Sequence, residues 1–222
     1  MKKTIYGLNI ILSLLILVGD IIYMQTHGLV VKSITSALFV VLGIINLIYA
    51  LKNKTNYKKF AWTMVVGLFF AMLGDILLEI QFIVGAALFA MGHIFFFISY
   101  CFIHKFNFKD LLYGAIIFVP ATLIIIFAPI FEFNGILMQI VCVVYAIIIS
   151  CMVGKAINNF IIKKDKLTLM VLIGSVLFIV SDLCLLFNVF ADVPRFIGVL
   201  CLITYYPAEI VLASAILFEN KN

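Results

Sequence analysis

Residues 168–190 read TLMVLIGSVLFIVSDLCLLFNVF, an apolar run whose only charged residue is Asp182. A helix that spans the hydrocarbon core of a bilayer needs about 20 such residues. The run does not alternate apolar and polar side chains as a strand of a transmembrane barrel does. This stretch therefore predicts a membrane-spanning helix.

Seven further runs of this kind fill the rest of the chain. The predicted helices cover residues 4–24, 30–51, 59–80, 82–103, 110–129, 134–154, 168–190 and 195–218. The 222 residues are 66% hydrophobic and 11% charged, whereas soluble domains have about 45–50% apolar and about 25% charged residues. We therefore predict one all-α transmembrane domain of eight helices over residues 1–222.

The basic residues predict the orientation of this bundle. With the amino terminus inside, 13 of the 15 Lys and Arg residues fall on the inner side, and only Lys32 and Arg195 fall outside. The inner residues are Lys2, Lys3, Lys52, Lys54, Lys58, Lys59, Lys105, Lys109, Lys155, Lys163, Lys164, Lys166 and Lys221. Because such a bias marks the cytoplasmic side, both termini are predicted in the cytoplasm. The same distribution gives no support for nucleic-acid binding.

Two pairs of predicted helices carry similar residue spacings. Gly67–Asp75 in the third helix matches Gly174–Asp182 in the seventh, and Gly85–His93 in the fourth matches Gly198–Tyr206 in the eighth. A parallel repeat of four plus four helices, related by an axis along the membrane normal, produces this pattern. Apolar sequences also match by chance, so both interpretations stay open here.

Ionisable residues inside the apolar runs are the candidates for function. A charge at the centre of a spanning helix costs about 2.5–3.5 kcal/mol on insertion scales, so such residues are functional by default. The acidic candidates are Asp20, Asp75, Glu79, Asp182 and Glu209, and the supporting candidates are Lys32, His93, Tyr100, Asn188, Tyr205 and Tyr206. They fall between the midplane and the outer ends of the helices, which predicts an acidic cavity that opens outward above a nearly apolar inner half.

Each candidate also has a simpler interpretation. Asp20 and Glu79 lie near helix ends, where water can solvate them, and Lys32 is compatible with an interfacial anchor. His93 is compatible with a satisfied core histidine, and the tyrosines with packing residues. The five cysteines lie in apolar runs without the spacing of a metal site or a disulfide frame. No metal and no cofactor is therefore predicted.

Four short motifs resemble the YhhN family, which includes the lysoplasmalogenases. The motifs are Gly74-Asp75-Ile-Leu-Leu, Phe89-x3-His93-x6-Tyr100, Ser181-Asp182 and Thr204-Tyr205-Tyr206-x2-Glu209. The resemblance implies eight helices and hydrolysis of the vinyl ether bond of lysoplasmalogen to a fatty aldehyde and glycerophosphoethanolamine or glycerophosphocholine. It marks Asp75 and Asp182 as the essential acidic pair. The family more often has Gln where this chain has Glu209, which leaves the role of that position open.

The implied reaction needs a general acid and a second carboxylate. Protonation of the vinyl ether carbon gives an oxocarbenium ion. Glycosidases form a similar cation and use two carboxyl groups to generate and stabilise it. We expect one of Asp75 and Asp182 to be the acid and the other the base, without deciding which. His93 and a tyrosine of the eighth helix would orient them, Lys32 would bind the lipid phosphate, and Glu79 would bind the ethanolamine ammonium.

Two other functions remain open at this point. Intramembrane acids and parallel repeats also serve proton-coupled transporters, although the sequence shows no polar path to the inner side. A non-enzymatic lipid-binding or membrane-assembly protein is the second alternative. A bacterial cytoplasmic membrane is the expected location, and the oligomeric state, head-group preference and substrate entry route stay open.

Overall fold

The computed structural model describes residues 2–53 and 58–218 and contains eight long helices within them. They are α1 (Lys2–Thr26), α2 (Leu29–Lys52), α3 (Lys58–Leu78), α4 (Phe82–Ile103), α5 (Phe108–Phe127), α6 (Ile136–Lys163), α7 (Lys166–Phe190) and α8 (Phe196–Ala215), followed by a 3₁₀ turn over Ile216–Phe218. All eight are long and apolar enough to cross a membrane. The prediction of an all-α bundle of eight spanning helices is confirmed. Lys54 and Lys221, which were used to predict orientation, lie outside the described residues.

The predicted helix ends agree with the structure within three residues, except at the end of α6. That helix was predicted to stop at residue 154 because Lys155 was assigned to a cytoplasmic loop. Instead it continues to Lys163 and ends where Lys164 adopts a left-handed conformation with φ of 49°. The extension buries Lys155 completely against the start of α5. The prediction that Lys155 follows the end of this helix was therefore wrong.

Close helix pairs give the bundle its shape. α3 packs most extensively on α4, and α7 on α8. Glycines allow the two helices of each pair to come close together. A Cβ atom at Gly92 on α4 would lie 3.2 Å from the carbonyl oxygen of Gly67 on α3, and one at Gly174 on α7 would collide with Leu212 on α8. Small residues at such positions let helix backbones approach closely in membranes. The glycines that motivated the repeat therefore lie at the pairings that hold the bundle together.

The helix contacts follow the predicted repeat. Under this repeat, α1–α4 correspond to α5–α8 in order. The α3–α4 pairing then corresponds to α7–α8 and the α1–α2 pairing to α5–α6, and all four pairings occur. One contact between the halves obeys the same exchange, since α8 packs on α2 as α4 packs on α6, whereas the packing of α1 on α8 has no comparable counterpart between α5 and α4. This correspondence favours the parallel repeat over a chance match.

The inner half of the bundle contains more polar contacts than the sequence predicted. The side chains of Asn9 and Asn46 are hydrogen-bonded across α1 and α2 at 2.8 Å. At the equivalent level of the other half, Lys155 forms a buried ion pair with Asp110 at 3.0 Å, and Asn158 donates to the same carboxylate at 2.6 Å. Burial of polar groups requires such pairing. The expectation of a nearly apolar inner half was therefore wrong.

Candidate active site

A polar cavity of about 240 Å³ lies at the predicted outer end of the bundle, among α1, α2, α3, α4, α7 and α8. Its charged lining residues are Lys32, Asp75, Glu79, Asp182 and Arg195, and its uncharged polar ones include Tyr23, His27, Ser181, Asn188 and Tyr205. A cavity needs a volume of only about 10–15 Å³ to hold one water molecule. The cavity therefore has room for water together with part of a substrate, and it lies at the level where the sequence placed an acidic cavity.

Asp75 lies in the last turn of α3 and is 3% exposed. Its Oδ2 atom accepts hydrogen bonds from the hydroxyl of Ser36 at 2.5 Å and from that of Tyr206 at 3.1 Å. The ammonium of Lys32 lies 3.2 Å from Oδ1. Three donors, one of them a cation, match the acceptors of an ionised carboxylate.

Lys32 joins Asp75 to a second carboxylate at the cavity mouth. Its Nζ atom lies 2.7 Å from Oε1 of Glu79, which also accepts a hydrogen bond from Tyr23 at 2.5 Å. Glu79 follows the end of α3 and is partly exposed. Burial alone would raise the pKa of Glu79, but the hydrogen bonds from Lys32 and Tyr23, together with the charge of Lys32, hold that pKa below its ordinary value of 4.5.

Asp182 lines the same cavity from α7 and has different partners. Its Oδ2 atom accepts a hydrogen bond from the hydroxyl of Tyr145 on α6 at 2.7 Å and lies 3.2 Å from Nε2 of His93. The Tyr145 oxygen is also 2.7 Å from that histidine nitrogen. Because Tyr145 has one proton, it can donate to Asp182 while accepting from His93, or donate to His93 while accepting from a protonated Asp182. The three groups form one hydrogen-bonded unit.

The two aspartates have equivalent surroundings under the repeat. Asp75 is held by residues of α2 and α8, namely Ser36 and Tyr206. Asp182 is contacted by residues of the counterpart helices α6 and α4, namely Tyr145 and His93. The equivalence ends at Lys32, because Lys32 precedes Ser36 by four residues in α2, whereas Val141 stands four residues before Tyr145 in α6.

The model of the YhhN family matches residues 28–216. This chain belongs to the YhhN family. Comparison with curated proteins and with solved structures found no similar protein. Membership and the eight spanning helices together establish a lysoplasmalogenase-like, multi-pass membrane protein at the level of the family.

Most of the candidates that the sequence singled out come together in this YhhN protein. Those that line the cavity are Lys32, Asp75, Glu79, Asp182, Asn188 and Tyr205. Tyr206 and His93 do not line it, but each contacts one of the two aspartates from behind. Eight of the eleven candidates thus belong to one connected site.

The other three candidates lie outside the lining of the cavity. Tyr100 shares a hydrogen bond of 2.9 Å with Ser175 and so links α4 to α7 in the inner half. Asp20 is 3% exposed, and its Oδ1 atom has no hydrogen-bond partner among the described residues. Glu209 is fully buried, and neither of its oxygens has such a partner within residues 2–53 and 58–218. Glu209 is therefore a buried carboxyl group outside the lining of the cavity of this YhhN protein.

Sequence reasoning missed several residues of the site, among them the four named here. Tyr145 and Ser36 contact the aspartates, while Tyr23 and Arg195 lie at the cavity. Arg195 was counted only as an outer basic residue. Tyr145 stands alone in an apolar run, and the rule that a buried tyrosine hydroxyl needs a partner is the signal that could have found it.

Aromatic rings close the inner end of the cavity of this YhhN protein. Phe89, Phe178 and Tyr205 contact one another edge to face, with centroid separations of 5.5–6.3 Å. His93 stacks edge to face on Phe178 at 4.6 Å. The cavity is therefore a pocket with a polar rim and an aromatic floor.

Proposed function

We propose that this protein is a membrane-embedded hydrolase that cleaves the vinyl ether bond of lysoplasmalogen. The products are a fatty aldehyde and glycerophosphoethanolamine or glycerophosphocholine. One observation carries the proposal: two aspartates, one from α3 and one from α7, line a single pocket, and each is held by its own set of proton donors. Family membership supports the substrate class.

The reaction uses the two carboxyl groups in turn. One transfers a proton to the vinyl carbon remote from the ether oxygen, which leaves an oxocarbenium ion stabilised by the other, negatively charged group. Water then adds to the carbon that bears the oxygen and gives up a proton to a carboxylate. The resulting hemiacetal loses its hydroxyl proton and expels the glycerol oxygen, which becomes protonated. The sum is vinyl ether plus water giving aldehyde plus alcohol.

The different partners of the aspartates favour Asp182 as the acid. Both of its hydrogen-bond contacts are on Oδ2, and its side chain is 11% exposed. A protonated Asp182 therefore still has Oδ1 to present to a bound substrate, while Tyr145 and His93 behind it can return a proton. This division assigns proton transfer to carbon to Asp182.

Asp75 fits the role of the carboxyl group that is ionised when the substrate binds. Its oxygens already accept from Ser36, Tyr206 and Lys32. A carboxylate held by three donors needs no reorganisation when positive charge develops on the substrate. Asp75 would then stabilise the oxocarbenium ion and accept the proton of the attacking water.

The mouth of the pocket suits a zwitterionic head group. Lys32 is 4% exposed and is already bound between two carboxylates, so it is a poorer phosphate ligand than the sequence suggested. Arg195 lines the mouth with an exposed side chain, and guanidinium groups bind phosphate in a bidentate manner. We assign the phosphate to Arg195 and the ammonium to Glu79, whose side chain is 43% exposed.

Proton-coupled transport is the alternative that the site has to be weighed against. The buried carboxyl of Glu209 and the polar contacts in the inner half favour it, since both lie below the pocket. The aromatic floor of Phe89, Phe178 and Tyr205 opposes it, because it separates these groups from the pocket. A pocket that is closed at its inner end suits a reaction better than a passage.

The proposal is tested by aldehyde release from lysoplasmenylethanolamine with the purified protein in detergent. The parent protein should release aldehyde, and Asp182→Asn and Asp75→Asn should each lose about 10²–10⁴-fold in kcat, the usual contribution of a positioned acid or base. The matched control is Asp165→Asn, the same change at the opposite end of α7, where Asn is an equally good helix cap. A folded, monodisperse parent that releases no aldehyde would reject the hydrolase and favour transport.

A further inference from the structure

A second hollow adjoins the pocket on the side of Asp182. It lies among α4, α5, α6 and α7, measures about 80 Å³, and is apolar over nearly its whole surface. Its walls include Ala86, Ala121, Ile125, Ala146 and Leu186. We call it the apolar groove.

The apolar groove adjoins the polar pocket. The two share Leu78, Phe89, Asp182 and Leu185 as lining residues. Asp182 therefore stands where a polar compartment meets an apolar one. If an amphiphile occupies the groove and the pocket together, the junction between its head and its chain lies at this carboxyl group.

The outer end of the apolar groove is covered by aromatic rings. Phe190, at the end of α7, contacts Phe82 at 5.3 Å and Phe133 at 4.9 Å between ring centroids. The loop before α6 is fixed to the same place by a backbone hydrogen bond of 2.7 Å from Glu132 to the carbonyl of Phe190. On the membrane side Leu183, another lining residue, is 38% exposed. The groove is thus closed toward the outer water and faces the lipid.

We propose that the apolar groove binds the single hydrocarbon chain of the substrate, which enters sideways from the outer leaflet. The inference rests on the proposed function for the identity of the amphiphile. A lysoplasmalogen has its vinyl ether at the junction of head and chain, so a chain in the groove and a head group in the pocket bring that bond to Asp182. The groove then determines how tightly chains of different length are bound.

Binding is tested without relying on hydrolysis. The probe is a saturated alkyl ether analogue of lysophosphatidylethanolamine with a diazirine in its chain; it has no vinyl carbon to protonate. After photolysis with the purified protein, adducts should map to the peptides that contain Ala121–Ile125 and Val141–Ala146, and excess unlabelled analogue should remove them. Adducts spread over all lipid-facing helices and insensitive to competitor would overturn the proposal, whether or not the parent hydrolyses lysoplasmalogen.

Chain selectivity supplies the second test. Ala86 lines the groove, whereas its neighbour Ala87 is exposed to lipid, so Ala86→Phe and Ala87→Phe form a matched pair. Ala86→Phe should lower kcat/KM for a hexadecenyl substrate about tenfold or more while changing a butenyl substrate little, as pocket contacts discriminate by chain size. Ala146→Leu, on the opposite wall, should act in the same direction if Ala86→Phe folds poorly. Equal losses on both chains, or the same effect from Ala87→Phe, would contradict the assignment.

Discussion

The two aspartates are chemically similar residues that the fold treats differently. Asp75 lies against a lysine, a serine and a tyrosine, whereas Asp182 lies against a tyrosine and a histidine. Two carboxyl groups in one site can take different roles when their surroundings differ. The division into acid and anion therefore follows from the neighbours of each residue.

Tyr145 provides the sharpest test of this division at the level of a residue. Tyr145→Phe keeps the ring but removes the hydroxyl that joins Asp182 to His93. We expect kcat to fall by about a hundredfold, with KM nearly unchanged. This loss is at the lower end of what a positioned proton donor usually contributes to the rate. Tyr113→Phe on α5 makes the same change away from the pocket and should be neutral. A rise in KM at constant kcat would instead assign Tyr145 to substrate binding.

Glu79 connects the site to the pH dependence of stability. Its pKa is lower in the folded protein than its ordinary value, so its ion pair with Lys32 stabilises the fold at neutral pH. This stabilisation is lost as the pH falls through the lowered pKa. Glu79→Gln should therefore lower the melting temperature in detergent at neutral pH, and the difference from the parent should shrink in acid. Glu132→Gln, an exposed loop change, is the control. A difference that does not vary with pH would contradict this account.

The sequence singles out candidate residues whose burial in a membrane is energetically costly. It does not single out residues whose role depends on a contact with another helix. Asp75 and Asp182 stand out because an acid in an apolar run needs a reason. Tyr145 carries no charge and fits an apolar helix, so its contact with Asp182 appears only once α6 and α7 are packed. The apparent anchor Lys32 is buried for the same reason, since its partners Asp75 and Glu79 lie in α3 and just after it.

At the scale of elements, seven helices ended where their apolar runs ended, and α6 did not. Its last turns contain Lys155, Asn158 and Asn159, which indicate a loop when each is counted as polar. In the fold, these side chains lie against α4 and α5 and are hydrogen-bonded there. Helix ends follow from local sequence only where no tertiary partner satisfies the polar groups.

The Lys155–Asp110 pair predicts a measurable effect on stability. Lys155→Met leaves Asp110 buried without its cation, which typically costs about 3–5 kcal/mol. Replacing both partners, as in Lys155→Met with Asp110→Leu, should recover most of the loss, because no unpaired charge remains. Thermal unfolding in detergent measures the stability of the single and the double variant. Lys109→Met, a change at an exposed neighbouring residue, is the control. A double variant as unstable as the single one would show that the pair is not what stabilises this contact.

The whole molecule behaves as two halves around one pocket. The exchange of halves that converts α3–α4 into α7–α8 also converts the neighbours of Asp75 into those of Asp182. The pattern of glycines and aspartates pointed to this arrangement in the sequence. The asymmetry that gives the aspartates different roles, Lys32 on one side and the apolar groove on the other, required the packed structure.

The orientation of the bundle decides which side of the membrane the pocket faces. The positive-inside distribution predicts that the pocket faces outward. In a cysteine-free background, Asp192→Cys between α7 and α8 should react with an impermeant thiol reagent in intact cells, while Asn53→Cys after α2 should react only after lysis. The opposite labelling would place the pocket and the lipid entrance on the inner side.

Hydrolysis in D₂O tests the central claim most directly. Proton transfer to the vinyl carbon must leave one solvent hydrogen on the carbon next to the aldehyde group. We predict that aldehyde trapped by immediate reduction and weighed by mass spectrometry carries one deuterium at that carbon, and that Asp182→Asn forms almost none of this product. Aldehyde without deuterium, or undiminished deuterated aldehyde from Asp182→Asn, would contradict carbon protonation by Asp182.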